Sequence, residues 1–310
     1  MKKLDYIVKE EAPGIWSINE YDMDYIYLIE GRDRAVLIDT GTGTGDLKGL
    51  VESITSLPYH VILTHGHVDH AGGICQWQEI WMHPDDIPPL LENASDDGGA
   101  INTYNRRRYA KLGLALHGSD VLPWNLDSFK PVDASKVVFH NLGQGDKIDL
   151  GEKTIEVFSL PGHSKGSLCF LDRSGRNLFV GDAVVRLQLL NGNDPDKVQF
   201  ENWLEGAGKI RSWMKVADRM FGGHESPIDP EVFDDQISCA KLVIEGKLQE
   251  EFCEVNEYCG WMYHYKDVWF TLRRENLLTR DYSRIVERKA RESGSPVDKE
   301  LIRLTKPERI

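Results

Sequence analysis

The chain has 310 residues, 41% of them hydrophobic and 28% charged, with a formal net charge of −13 at pH 7. That length buries one large core with an appended segment, while the negative balance argues against general nucleic-acid binding, which draws on a positive surface. No apolar run approaches the ~20 residues that span a bilayer, so the expected partner is a small molecule, with no nucleic acid and no membrane.

Met1-Lys2-Lys3-Leu4-Asp5 leads into polar sequence rather than a signal-peptide core, which makes a cytoplasmic location the expectation. Cys75, Cys169, Cys239, Cys253 and Cys259 are scattered without paired spacing. They read as free thiols rather than a disulfide framework or a zinc ribbon.

Tyr25–Ile29 and Ala35–Ile38 read as strands, and a helix is expected from about Thr44 to Ser56. The glycines at 41, 43 and 45 lack the Gly-Lys-Ser/Thr of a phosphate loop and are taken as a flexible turn. Tyr59–Thr64 is a short apolar run that reads as a buried strand. It ends in His65-Gly66-His67-Val68-Asp69-His70, three imidazoles and one carboxylate within six positions. Such donors suit zinc, iron or manganese, and no thiolate joins them.

Residues 84 to 135 read as an insertion outside the core. Pro84, Pro88, Pro89 and the Asp96-Asp97-Gly98-Gly99 turn interrupt a helical stretch from about Asn102 to Leu116, and Pro123-Trp124 follows. A segment this long is expected to form a lid over the cleft. Its basic run, Arg106-Arg107-Arg108 with Lys111, is either a solvated face or an attractant for an anionic substrate. His83, Tyr104, His117 and Trp124 are candidates for the pocket wall.

Downstream, the layout of a strand followed by a ligand repeats. Thr154–Ser159 precedes Gly162-His163, Asn177–Gly181 precedes Asp182, and an apolar run from Arg219 precedes Gly222-Gly223-His224. An amphipathic helix is then expected from Pro230 to Glu251, with Phe233, Ile237, Ala240, Leu242 and Ile244 on its apolar face. Trp261–Tyr265 and Val268-Trp269-Phe270 suggest an aromatic hairpin, which leaves a homodimer open. The stretch Arg280 to Ile310 is charged and expected to be helical in part.

These motifs resemble the metallo-β-lactamase superfamily over residues from about 13 to 228. The resemblance implies an α/β fold, an αββα four-layer sandwich with an inserted lid and a C-terminal extension. Residues 1–230 would be the catalytic domain, with the insertion at about 84–135, and 231–310 a helical and aromatic extension packed on it. Carried over by position, His65, His67 and His163 match the ligands of one metal, and Asp69, His70 and His224 those of a second. Asp182 matches the carboxylate that bridges them. Leu37-Ile38-Asp39-Thr40-Gly41 resembles the family's early strand and turn, in which Asp39 supports a ligand through a hydrogen bond. The implied cofactors are two divalent ions, zinc by default, with iron or manganese open.

Departures narrow the reading. Asp182 is not the cysteine of the true β-lactamases, and His67 is not the glutamate of flavodiiron proteins. Gly162-His163-Ser164-Lys165-Gly166-Ser167 resembles the Gly-His-Thr-x-Gly-His of glyoxalase II and related lactonases, yet Ser167 replaces the second histidine. After residue 230 there is no clear match to that enzyme's glutathione-binding helices. The expectation is a metal-dependent hydrolase of the glyoxalase II-like branch, directing a metal-activated hydroxide at a small thioester, ester or lactone. Asp69 is the candidate catalytic proton acceptor and Lys165 a candidate substrate contact. The alternatives are a phosphodiesterase on the same site and a slow-turnover metal-containing binding protein.

Overall fold

The computed structural model describes residues 6–20, 23–94, 134–192, 194–255, 258–272 and 277–279, with residues 287, 291 and 299. Tyr104, Arg106-Arg107-Arg108, Lys111, His117 and Trp124 lie outside the described residues, as does nearly all of 280–310.

One sheet runs in chain order through β1 (Ile7–Ala12), β2 (Ile15–Glu20), β3 (Asp24–Glu30), β4 (Ala35–Ile38), β5 (Tyr59–Ile62), β6 (Glu79–Met82) and β7 (Val138–Asn141). It is antiparallel up to β4 and parallel from there to β7. The second sheet contains β8 (Lys147–Asp149), β9 (Thr154–Ser159), β10 (Leu168–Asp172), β11 (Asn177–Gly181) and β13 (Arg219–Gly222). Its order is β13-β11-β10-β9-β8, and only β11 and β13 run parallel. A third, smaller sheet joins β12 (Leu187–Leu189), β14 (Glu251–Val255), β15 (Tyr258–Tyr265), β16 (Val268–Thr271) and β17 (Leu278–Thr279).

The period-2 alternation of strand side chains sorts the layers. Tyr27, Ile29, Val36 and Ile38 of the first sheet meet Val157, Leu168, Phe170 and Phe179 of the second in one buried cluster. Their neighbours Ile26, Leu28, Ala35 and Leu37 turn outward onto α1 (Leu47–Ile54), α2 (Val68–Ala71) and α3 (Ile87–Asn93), through Leu47, Val51, Val68, Ala71 and Leu90. On the far side, Cys169, Leu171, Leu178 and Val180 pack against α4 (Asp196–Met214) and α5 (Pro230–Ile244), through Phe200, Trp203, Phe233 and Ile237. The order is helix, sheet, sheet, helix, as the αββα expectation has it.

Several boundaries differ from the sequence reading for local reasons. α1 begins at Leu47 because the Asp46 carboxylate accepts the Gly49 N–H at 2.9 Å, a cap worth about 1 kcal/mol. α5 ends at Ile244 rather than Glu251, since the chain turns at Gly246 (φ 69°) and β14 starts at Glu251. Pro88 and Pro89 open α3 rather than interrupt a helix, because the first turn needs no N–H donors there. The start and end of the insertion are also core: Leu90, Ala94 and Ala134 are buried in the same cluster as Val61 and Met82. The aromatic hairpin is present as β15 paired antiparallel with β16, and Tyr263 and Phe270 share the cluster of α4 and α5.

Candidate metal centre

The site lies where strands end. β4 runs into Asp39, β5 into Thr64-His65-Gly66-His67 and α2, β9 into the His163 loop, β11 into Asp182 and β13 into His224. All seven residues matched by position come together in two groups. His65, His67 and His163 form one, and Asp69, His70, Asp182 and His224 the other, with potential ligand atoms within 4.8 Å of one another in each.

In the first group, His67 Nδ1 lies 3.0 Å from His65 Nε2 and 2.8 Å from His163 Nε2. In the second, His224 Nε2 lies 3.0 Å from Asp182 Oδ2 and 3.5 Å from Asp69 Oδ2. His70 Nε2 is 3.4 Å from Asp182 Oδ1 and 3.9 Å from Asp69 Oδ2. Asp182 stands at the junction, because its Oδ2 is also 3.5 Å from His163 Nε2.

The back of each ring fixes what the front presents. Thr64 Oγ1 donates to Asp39 Oδ2 at 2.8 Å and therefore accepts from His65 Nδ1 at 3.0 Å. His163 Nδ1 donates to Leu189 O at 3.1 Å, His224 Nδ1 to Met23 O at 2.6 Å and His70 Nδ1 to Asp39 Oδ2 at 2.9 Å. With Nδ1 engaged behind the ring, His65, His70, His163 and His224 each turn Nε2 toward the site, where deprotonation leaves a lone pair. Histidines that bind metals are commonly anchored through the other ring nitrogen in this way.

Asp39 also accepts the Thr64 N–H at 2.7 Å, so a single carboxylate holds both the metal loop and a ring on α2. Two approaches leave no room for a side chain. Gly162 has φ 155°, and a Cβ on it would stand 2.8 Å from Trp203 Cδ1. A Cβ on Gly223 would stand 2.3 Å from Asp182 Oδ1 and 2.6 Å from His70 Cε1.

The electrostatics divide the two groups. Burial, then the neighbouring rings of His70, His67 and His163, hold His65 well below the ordinary histidine pKa, so its imidazole is neutral. Burial acts the same way on His70, but Asp182, Asp69 and Asp39 outweigh it and raise that pKa well above the usual value. Against the same burial, Asp182 and Asp69 push His224 up to about 10. Burial alone would raise Asp182, yet the charges of His224 and His70 hold it well below the carboxylate range.

The donor set fits a metal on its own evidence. His70 Nε2 and Asp182 Oδ1 are buried without a hydrogen-bond partner, an arrangement that is costly unless something else satisfies them. Three imidazole nitrogens meeting at one point have at most one proton to share, whereas a borderline cation accepts all three lone pairs.

Other sequence candidates lie apart from the seven. His83 is engaged locally, its Nδ1 accepting the Asp85 N–H at 3.2 Å. Lys165 lines a cleft with His67, and Cys75 is exposed outside the cluster. Sequence reasoning missed Asp86, which is buried and bonded to both the His65–His67 loop and the His163 loop, and Asn191, whose Nδ2 donates to His163 O at 2.5 Å. For Asp86 the only signal was a carboxylate shortly after a strand. No helix of the described residues is long and apolar enough to cross a membrane.

Comparison with known proteins agrees with this geometry. The family model of the metallo-beta-lactamase superfamily matches residues 22–226. The acyl-coenzyme A thioesterase MBLAC2 of Homo sapiens is 30% identical over 236 residues, 69% of this chain and 77% of that protein. Hydroxyacylglutathione hydrolase of Xanthomonas axonopodis pv. citri is 28% identical over 173 residues, 54% of this chain and 49% of that enzyme. Among solved structures, the metallo-beta-lactamase from Pontibacter korlensis has a TM-score of 0.52 at 16% identity, over 76% of this chain and 99% of its own. The sec-alkylsulfatase Pisa1 from Pseudomonas sp. has a TM-score of 0.54 at 14% identity, over 77% of this chain and 42% of its own. At such identities the solved structures establish the fold, while the two curated relatives support the glyoxalase II-like branch. The chain belongs to the metallo-β-lactamase superfamily and is one of its hydrolases.

Proposed function

We propose that this chain is a metal-dependent thioesterase, cleaving a small thioester with water to a carboxylate and a thiol. The observation that carries the reading is the position of Asp182, within 3.5 Å of a nitrogen in each ligand group. We read it as the carboxylate shared by two divalent ions, zinc by default, one held by His65, His67 and His163 and the other by Asp69, His70 and His224. Divalent ions held by these residues would supply a water with its pKa lowered towards about 7 and a Lewis acid for a carbonyl oxygen. The thioester class is supported by the acyl-coenzyme A thioesterase and hydroxyacylglutathione hydrolase relatives.

The chain's own residues orient the reaction. Asp69 is only partly buried, with 21% of its side chain exposed, and takes up the proton released when water attacks. Beside His67 opens a cleft of about 530 Å³, walled by Pro84, Pro88 and Pro89 and bordered by Gly66 and Lys165. The prolines offer a rigid apolar wall for an acyl group, and Lys165 offers a cation to an anionic thiol portion. The cytoplasmic setting belongs to this proposal and is supported by five free cysteines.

The test is a panel assay of the metal-loaded protein with an acyl thioester, a lactone and bis-p-nitrophenyl phosphate. The proposal expects the thioester to give the highest kcat/KM. Preference for the phosphodiester would reject it, and so would tight retention of a small molecule without turnover.

A further inference from the structure

Asp86 sits at the first residue before α3, the usual place for a carboxylate that caps its own helix. It does not do so: its side chain makes no capping hydrogen bond to α3. Although only 3% exposed, it reaches two segments far away in sequence. Oδ2 accepts the Gly66 N–H at 3.1 Å, between His65 and His67. The same oxygen accepts the Ser164 hydroxyl at 2.6 Å, beside His163, and Oδ1 accepts the Gly166 N–H at 2.7 Å.

The surrounding loop is fitted to this carboxylate. A Cβ on Gly166 would stand 2.7 Å from Asp86 Cγ, so the backbone meets the acid directly. Since Ser164 donates to Asp86, the 2.8 Å contact between the Ser164 and Ser167 hydroxyls has Ser167 as donor. Ser167 Oγ in turn accepts the Ser164 N–H at 3.0 Å. The serine that replaces the second histidine of the glyoxalase II-type loop thereby closes a hydrogen-bonded ring on Asp86.

We propose that Asp86 is the positioning residue that locks the His65–His67 loop and the His163 loop into one unit, so that the affinity of the first metal depends on a carboxylate that is not a ligand. Asp39 serves His70 in the second group, and Asp86 is the counterpart for the first, acting on backbone instead of a ring. The inference rests on the reading that His65, His67 and His163 hold a metal.

The experiment uses the full chain, stripped by chelator and titrated with cobalt(II) and zinc(II) in competition with a chromophoric chelator. Wild type, Asp86→Ala, Asp86→Asn and Ser164→Ala are compared, with metal-free circular dichroism recorded for each. The expected result is a loss of affinity at the His65, His67 and His163 group of roughly tenfold to a hundredfold in Asp86→Ala, the range for supporting partners of ligands. Asp86→Asn should lose less, because one acceptor oxygen remains, and Ser164→Ala least, because both backbone bonds remain. The second group should keep its affinity within about threefold, and the cobalt spectrum of the first group alone should change. Equal weakening of both groups, or unchanged affinities in a folded Asp86→Asn, would overturn the inference. Failure of the wild type to take up metal would instead reject the metal reading beneath it.

Discussion

His224 Nε2 and Asp182 Oδ2 face each other at 3.0 Å, joined from the ends of β13 and β11, 42 residues apart in the chain. In the metal-free protein this contact is an ion pair, with the His224 pKa up to about 10 and that of Asp182 held well below its usual range. The sign of the pH dependence follows from linkage. A raised histidine stabilises fully below its unfolded pKa of about 6.5 and loses that contribution as pH rises through the folded value. A depressed carboxylate stabilises above its unfolded pKa of about 3.9 and loses that contribution as pH falls through the folded value. The metal-free protein should therefore be more resistant to urea at pH 6 than at pH 10. Metal must displace the His224 proton, so affinity at the second group should rise over the same interval. Urea midpoints and metal titrations at the two pH values check both trends.

Asp39 accepts from Thr64 N, Thr64 Oγ1 and His70 Nδ1. It does so at φ 67°, a left-handed conformation that Asn adopts with little strain. Asp39→Asn should fold but place an amide hydrogen against at least one of these donors, costing about 1–3 kcal/mol. The second group should lose metal roughly tenfold to a hundredfold while the first is less affected. Chemical denaturation and site-resolved titration measure the two effects.

Gly223→Ala directs a methyl group at Asp182 Oδ1 and the His70 ring. Displacing those side chains by even ~1 Å should cost roughly a hundredfold in kcat. The mutation lies at a strand end rather than in a core cluster, so the melting temperature should move less than activity does. Steady-state kinetics beside a thermal melt separate the two.

Lys165→Ala should raise KM for a thioester with an anionic thiol portion by roughly tenfold, the scale of one hydrogen bond to a charged group. It should leave kcat nearly unchanged, because a contact to the thiol portion binds ground state and transition state alike. A neutral thioester should show no such change.

Much of this architecture was legible in the sequence because the candidate ligands follow the ends of apolar strands. β4, β9 and β13 carry the ligands or their supports at their ends, and alternation such as Ile26, Tyr27, Leu28 and Ile29 assigns each side chain to a layer. The supports of the rings were harder to read. Leu189 O and Met23 O, which anchor His163 and His224, are backbone atoms that any residue supplies. Asp86 reads locally as one acid in His-Pro-Asp-Asp, and its partners are two N–H groups and a hydroxyl up to 80 residues away. The expectation that residues 84–135 lie outside the core failed at Leu90 and Ala134, because an isolated apolar residue among prolines and acids carries no period that assigns it to a layer.

The most direct test of the account is the thioesterase rate of chelator-stripped protein as metal is returned in known equivalents. The account predicts negligible hydrolysis without metal and a rate that climbs until two equivalents are bound. Full activity without metal, or metal uptake that persists when His65, His163 and His224 are all replaced by alanine, would contradict it.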